Sequence, residues 1–181
     1  MKYFLLLFIL IFNQNDLASQ QFYTDKGVVK FDGSKAAFEP IKATNNNSVS
    51  IIDSKTGQIA AIIQISQFEF RLGLMQEHFN ENYLESNVYP KSTFEGEIKE
   101  FNVLNLTENV MLHEITGYLT IKGVEKKIKT IAAISKVDEQ IKIKSDFSII
   151  LSDFGVKIPK IVFKKIDEEV KISLNFAYDK K

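Results

Sequence analysis

A strict two-residue alternation constrains this chain more than any other feature. Over residues 140–152, QIKIKSDFSIILS, one parity holds Ile141, Ile143, Phe147, Ile149 and Leu151, and the other holds Lys142, Lys144, Asp146 and Ser148. Successive side chains of a strand point to opposite faces, so this is the signature of a strand half-buried in a core. Residues 170–179 repeat it: Val170, Ile172, Leu174, Phe176 and Tyr178 alternate with Lys171, Ser173, Asn175, Ala177 and Asp179. The same period runs through Ile128, Ala132 and Ile134, and through Ile59, Ala61, Ile63 and Ile65. Further strands are expected at 28–31, 36–38, 48–52, 94–99 and 111–121. Turns fall between them at Asp53-Ser54-Lys55-Thr56-Gly57 and Lys122-Gly123, where glycine supplies positive φ, and at Val137-Asp138-Glu139-Gln140. Many strands separated by short turns, with polar outer faces, predict an all-β sandwich or closed barrel.

One break in parity is informative. Continuing the inward face of Ile59, Ala61, Ile63 and Ile65 would bury Gln67 and Glu69 and expose Phe68 and Phe70. A bulge near Ser66 returns both phenylalanines to the core side.

Helical spacing occurs at 72–84, where Leu72, Met75, Phe79 and Tyr83 recur at offsets of three and four. A weaker stretch at 156–166 is interrupted by Pro159. The first is expected to lay Met75, Phe79 and Tyr83 over one end of the fold.

Residues 3–12 form an unbroken apolar run after Met1-Lys2, with small residues at Ala18 and Ser19. This layout predicts a signal peptide over 1–19 and a single mature domain over 20–181 that is exported to a periplasm or secreted. No later apolar run reaches the roughly 18 residues of a membrane helix, so stable membrane insertion is not expected. Acidic and basic residues balance at 23 each and are interspersed, which provides no one-sided basic surface for nucleic acid. With no cysteine, the fold must stand on its core. That core must place twelve of the fifteen phenylalanines, those beyond residue 19.

Catalytic and metal chemistry find little support. His78 and Glu81 sit three apart, but the chain has two histidines in all, short of a usual catalytic zinc set. His113-Glu114 begins like a zincin motif, yet Gly117 stands where the second histidine belongs. No nucleophile elbow or Gly-rich phosphate loop occurs. No metal, cofactor or catalytic residue is therefore assigned. His113 shares a parity with Met111, Ile115, Leu119 and Ile121, which suits a core histidine held by a hydrogen bond.

LMQEHFNENYLESNVYPKSTFEGEI at 74–98, with ITGYLTIKGVEKKIK at 115–129, resembles the YceI-like family of bacterial exported proteins, most closely the form found in Bacteroidota. The residues that carry the resemblance are His78-Phe79, Tyr89-Pro90, Phe94, Gly117, Leu119-Thr120 and Gly123. The family's opening segment holds a histidine where this chain has Lys35-Ala36-Ala37-Phe38. The resemblance implies an eight-stranded antiparallel, lipocalin-like barrel with one or two short helices, binding a polyisoprenoid or similar amphiphilic lipid. On that basis the expected wall is Ile63, Phe68, Phe70, Phe147, Ile149 and Phe176, with Met75, Phe79 and Tyr83 as a movable cover, and His78 and Phe94 are further expected ligand contacts. Two other readings stay open: a packed barrel acting through its surface, and an acid–base enzyme using His78 or His113. Pairing into a homodimer is also open.

Overall fold

The computed structural model describes residues 21–35, 38–159 and 165–181. Its strands are β1 (Gln21–Ser34), β2 (Lys42–Asp53), β3 (Gln58–Gln64), β4 (Glu69–Phe70), β5 (Lys91–Ile98), β6 (Met111–Ile121), β7 (Val124–Val137), β8 (Gln140–Ile150) and β9 (Ile166–Lys180). All pair antiparallel in the order β1-β9-β8-β7-β6-β5-β3-β2, and β2 returns to β1. Eight strands therefore close into a barrel, with the two-residue β4 lying alongside β2. Closure removes the exposed sheet edges that would invite aggregation.

The turns follow from local chemistry. Asp53 Oδ1 accepts from the backbone N–H groups of Lys55 and Thr56, and Gly57 closes the turn at φ 72°. Asp138 and Glu139 both take positive φ, the backbone of a tight hairpin, between β7 and β8.

The expected bend near Ser66 is a single 3-10 turn, Ile65–Gln67. Across it, the eight residue steps from Ile62 to Phe70 run against only six on β2, from Val49 to Ala43. The turn puts three residue steps, an odd number, between inward Ile65 and inward Phe68 and so moves the inward face from odd to even positions; Phe68 is buried and Phe70 packs against the core.

Other expectations need correction. The helix read over 72–84 is an α-helix, α1 (Gly73–His78), that widens into a π-turn at Phe79–Tyr83. The second helix does not form in the described part of 156–166. Val156 to Pro159 have no regular structure, residues 160–164 lie outside the described residues, and Ile166 already begins β9. Proline lacks the N–H a helix needs and biases its predecessor toward extended backbone. The helical turn here comes earlier, as the 3-10 segment Leu151–Phe154, and Gly155 stops it at φ 69°. That segment also ends β8 at Ile150, short of the strand limit expected at residue 152. Of the strand expected at 36–38, residues 36–37 lie outside the described residues and Phe38 sits in an exposed bend. The leader read over 1–19 also lies outside them.

Candidate functional site: an apolar cavity in the barrel

The barrel is solid at one end and hollow at the other. Ala132, Ile134, Ile141 and Tyr178 point inward and have no exposed surface. Farther along the same strands, Ile128, Phe147, Ile172 and Leu174 share that inward parity, yet all are half-buried. Inward residues on a closed wall keep accessible surface only if the space they face is open. That space is a cavity of about 340 Å³ whose lining is almost wholly apolar. Its size falls near the lower end of ligand pockets, roughly 300–1,000 Å³.

Glycine helps keep the hollow open. Gly96 and Gly117 face each other in register on β5 and β6, and a Cβ on either would lie 2.7 or 2.6 Å from Phe94 Cζ. The Phe94 ring can therefore lie against the wall across both glycines. On β1, a Cβ at Gly27 would lie 2.5 Å from the ring of Phe176. Bulkier residues at these positions would push both rings toward the lumen.

The hollow end is covered by aromatics. Phe31 of β1, Phe68, Phe70 and Phe79 form a cluster with ring centroids 5.0–5.5 Å apart, and Phe79 enters it from the π-turn. Met75 and Tyr83 line the cavity from the same cover, and burial pushes the Tyr83 phenol pKa up. No residue of α1 or its π-turn is fully buried. The cover thus rests on its ring contacts rather than on a deep anchor of its own.

At the solid end the polar groups are paired. Ser50 Oγ donates to Ala60 O at 2.7 Å and stands 2.9 Å from Tyr178 Oη. Burial raises the Tyr178 pKa strongly, opposed by the Ser50 bond. Nearby, Asn45 Nδ2 donates to Gln64 O, and Ser48 Oγ donates to Asn45 Oδ1.

All of Ile63, Phe68, Phe70, Met75, His78, Phe79, Tyr83, Phe94, Phe147, Ile149 and Phe176 line the cavity. His78 is exposed there, as is Lys165. Phe31, Ile172, Leu174, Thr130 and Ser145 also line it and were not anticipated as site residues. Ile172 and Leu174 had been legible, since they share the parity of Phe176.

Of the other polar groups, His113 Nδ1 lies 3.1 Å from Lys99 O, and its Nε2 is buried with no partner. His113 does not line the cavity. Met111, expected to share its inward face, is exposed at the start of β6. Asn80 Nδ2 donates to the carbonyl of Gln76, one turn back in α1. Among the described residues, no group of three or more His, Asp or Glu could hold a metal ion, and no helix is long and apolar enough to cross a membrane.

The barrel has close structural counterparts. A polyisoprenoid binding domain from Saccharophagus degradans superposes with TM-score 0.79 at 14% identity, covering 90% of this chain and 99% of that one. Burkholderia cenocepacia BcnA matches with TM-score 0.70 at 18% identity, over 84% and 96% of the two chains. The Campylobacter jejuni YCEI protein matches with TM-score 0.61 at 18% identity, over 81% and 88%. At such identities these likenesses establish the shared fold. No curated protein matches the sequence. The YceI-like domain model matches residues 21–178, nearly all of the described barrel. The chain therefore belongs to the YceI-like family.

Proposed function

We propose that this protein binds a long-chain isoprenoid or similar amphiphilic lipid inside the barrel and carries or sequesters it outside the cytoplasm. The observation that carries this reading is the cavity: about 340 Å³, apolar, and enclosed by a closed wall. Small barrels either fill with side chains or leave room for one ligand, and this one leaves room. The name of the Saccharophagus degradans counterpart, a polyisoprenoid binding domain, supports the same chemistry. The exported location rests on the leader pattern of residues 1–19.

Burial of the chain drives binding. Each methylene removed from water contributes about 0.8 kcal/mol, so a five-carbon unit contributes roughly 3–4 kcal/mol before the entropy of ordering it is subtracted. The cavity walls offer dispersion contacts without demanding a fixed pattern of hydrogen bonds, which suits a flexible hydrocarbon. Met75, Phe79 and Tyr83 then govern passage in and out, because they belong to the segment with no deeply buried residue. The role is binding rather than catalysis. His113 lies off the cavity with Nδ1 beside a backbone carbonyl, and His78 faces an apolar hollow.

The chain contains no tryptophan, so one placed in the wall reports on the lumen alone. Titrating a Phe147→Trp variant with geranylgeraniol tests the proposal. A saturable change in emission at one lipid per barrel is expected. A signal that stays flat, while the variant remains folded by circular dichroism, would overturn the reading.

A further inference from the structure

The apolar lumen contains a small polar feature on its wall at β7 and β8. Thr130 Oγ1 and Ser145 Oγ lie 2.8 Å apart, and Ser145 Oγ donates to the carbonyl of Ile131 at 2.9 Å. A serine hydroxyl has a single hydrogen, and a carbonyl can only accept. With the hydrogen of Ser145 committed to Ile131, the hydrogen of Thr130 must point to Ser145. Thr130 therefore has nothing left to donate and keeps a lone pair free.

The neighbouring hydroxyls follow the same rule but present less surface to the lumen. Ser92 donates to Thr120 O, and Tyr178 must donate to Ser50, whose own hydrogen goes to Ala60. All four line the cavity, but Ser92, Ser145 and Tyr178 are buried, whereas Thr130 is half-buried and the most accessible of them. It is also the deepest lining residue on β7, because Ala132 and Ile134 beyond it belong to the solid end.

We infer that Thr130 is a hydrogen-bond acceptor that selects a lipid bearing a hydroxyl group, inserted hydroxyl first toward the solid end with its hydrocarbon running out to the cover. The inference rests on the lipid-binding reading above and adds the chemistry of the buried end. A hydroxyl can donate to Thr130. An ether or carbonyl at the same place sets oxygen against oxygen, and neither has a hydrogen to share.

The test compares geranylgeraniol with its methyl ether by calorimetric titration. Wild-type protein should bind the alcohol roughly tenfold more tightly, the scale of one buried hydrogen bond set against an unpaired acceptor. Thr130→Val keeps the side chain's shape and should bring the alcohol down to the ether's affinity, while Thr130→Ser should restore the gap. Ser145→Ala releases the hydrogen of Thr130, so the penalty against the ether should shrink. Equal affinities in the wild type, or a gap that persists in Thr130→Val, would overturn the assignment of Thr130 and leave lipid binding intact. Failure of both ligands to bind the wild type would overturn both readings together, a pattern distinct from equal binding.

Discussion

Phe31 and Phe79 stack with their ring centroids 5.3 Å apart and their planes 16° from parallel, joining the wall of the barrel to its cover. Phe31 belongs to a long strand paired on both sides, whereas Phe79 belongs to a π-turn. A rigid ring thus holds a less anchored one. Phe68 and Phe70 complete the contact only because the 3-10 turn before them moves the inward face from odd to even positions.

Phe79→Ala removes the cover's main contact. An aromatic pair contributes about 1 kcal/mol beyond the area it buries, and loss of a half-buried ring should cost about 2 kcal/mol of stability in all. The effect on exchange should exceed the effect on folding. Stopped-flow transfer of a bound lipid to acceptor vesicles should accelerate about tenfold or more, the factor equivalent to about 1.4 kcal/mol.

Gly117→Ala places a methyl group against Phe94 and the carbonyl of Glu95. The backbone oxygen cannot rotate away, so the ring and the strand must both shift. Overpacking of this kind costs about 1–3 kcal/mol. A lower urea midpoint is expected, together with reduced lipid capacity as Phe94 turns into the lumen. Phe94→Ala in the same background should recover part of that capacity.

Tyr178→Phe separates a hydrogen bond from a hydrophobic contact. The ring still packs on Phe176 at a centroid distance of 6.0 Å, but Ser50 loses its donor. The cost should be about 1 kcal/mol near neutral pH. The alkaline behaviour should differ as well. Burial raises the folded pKa of Tyr178 above its unfolded value of about 10, so the folded state holds its proton longer than the unfolded state does. Its contribution is therefore fully present below about pH 10 and is lost as the pH rises toward the folded pKa. Urea midpoints compared at about pH 8 and about pH 11 should fall more steeply for the wild type than for the variant, the excess being Tyr178's share.

Much of the barrel was legible because its strands keep one wet and one dry face. β8 and β9 follow the alternation almost residue for residue. β1 and β2 extend well beyond the alternation visible at 28–31 and 48–52, and the reason is chemical. The inward face of β2 carries Asn45, Ser48 and Ser50, polar residues buried with partners on other strands or on one another, so an alternation of hydropathy cannot reveal them. The wall phenylalanines were legible by parity, but Phe31 was not singled out, because its role depends on three rings that reach it from elsewhere in the chain. The Thr130–Ser145 pair was also hidden. A serine and a threonine fifteen residues apart carry no local signal until β7 and β8 bring them together.

The most direct test of the account is native mass spectrometry of the protein purified, without denaturation, from the organism that makes it. A complex heavier than the bare chain by the mass of one long-chain lipid is expected, with the added mass lost in organic solvent. A folded barrel that emerges bare, and gains no mass after incubation with prenol-containing vesicles, would contradict it.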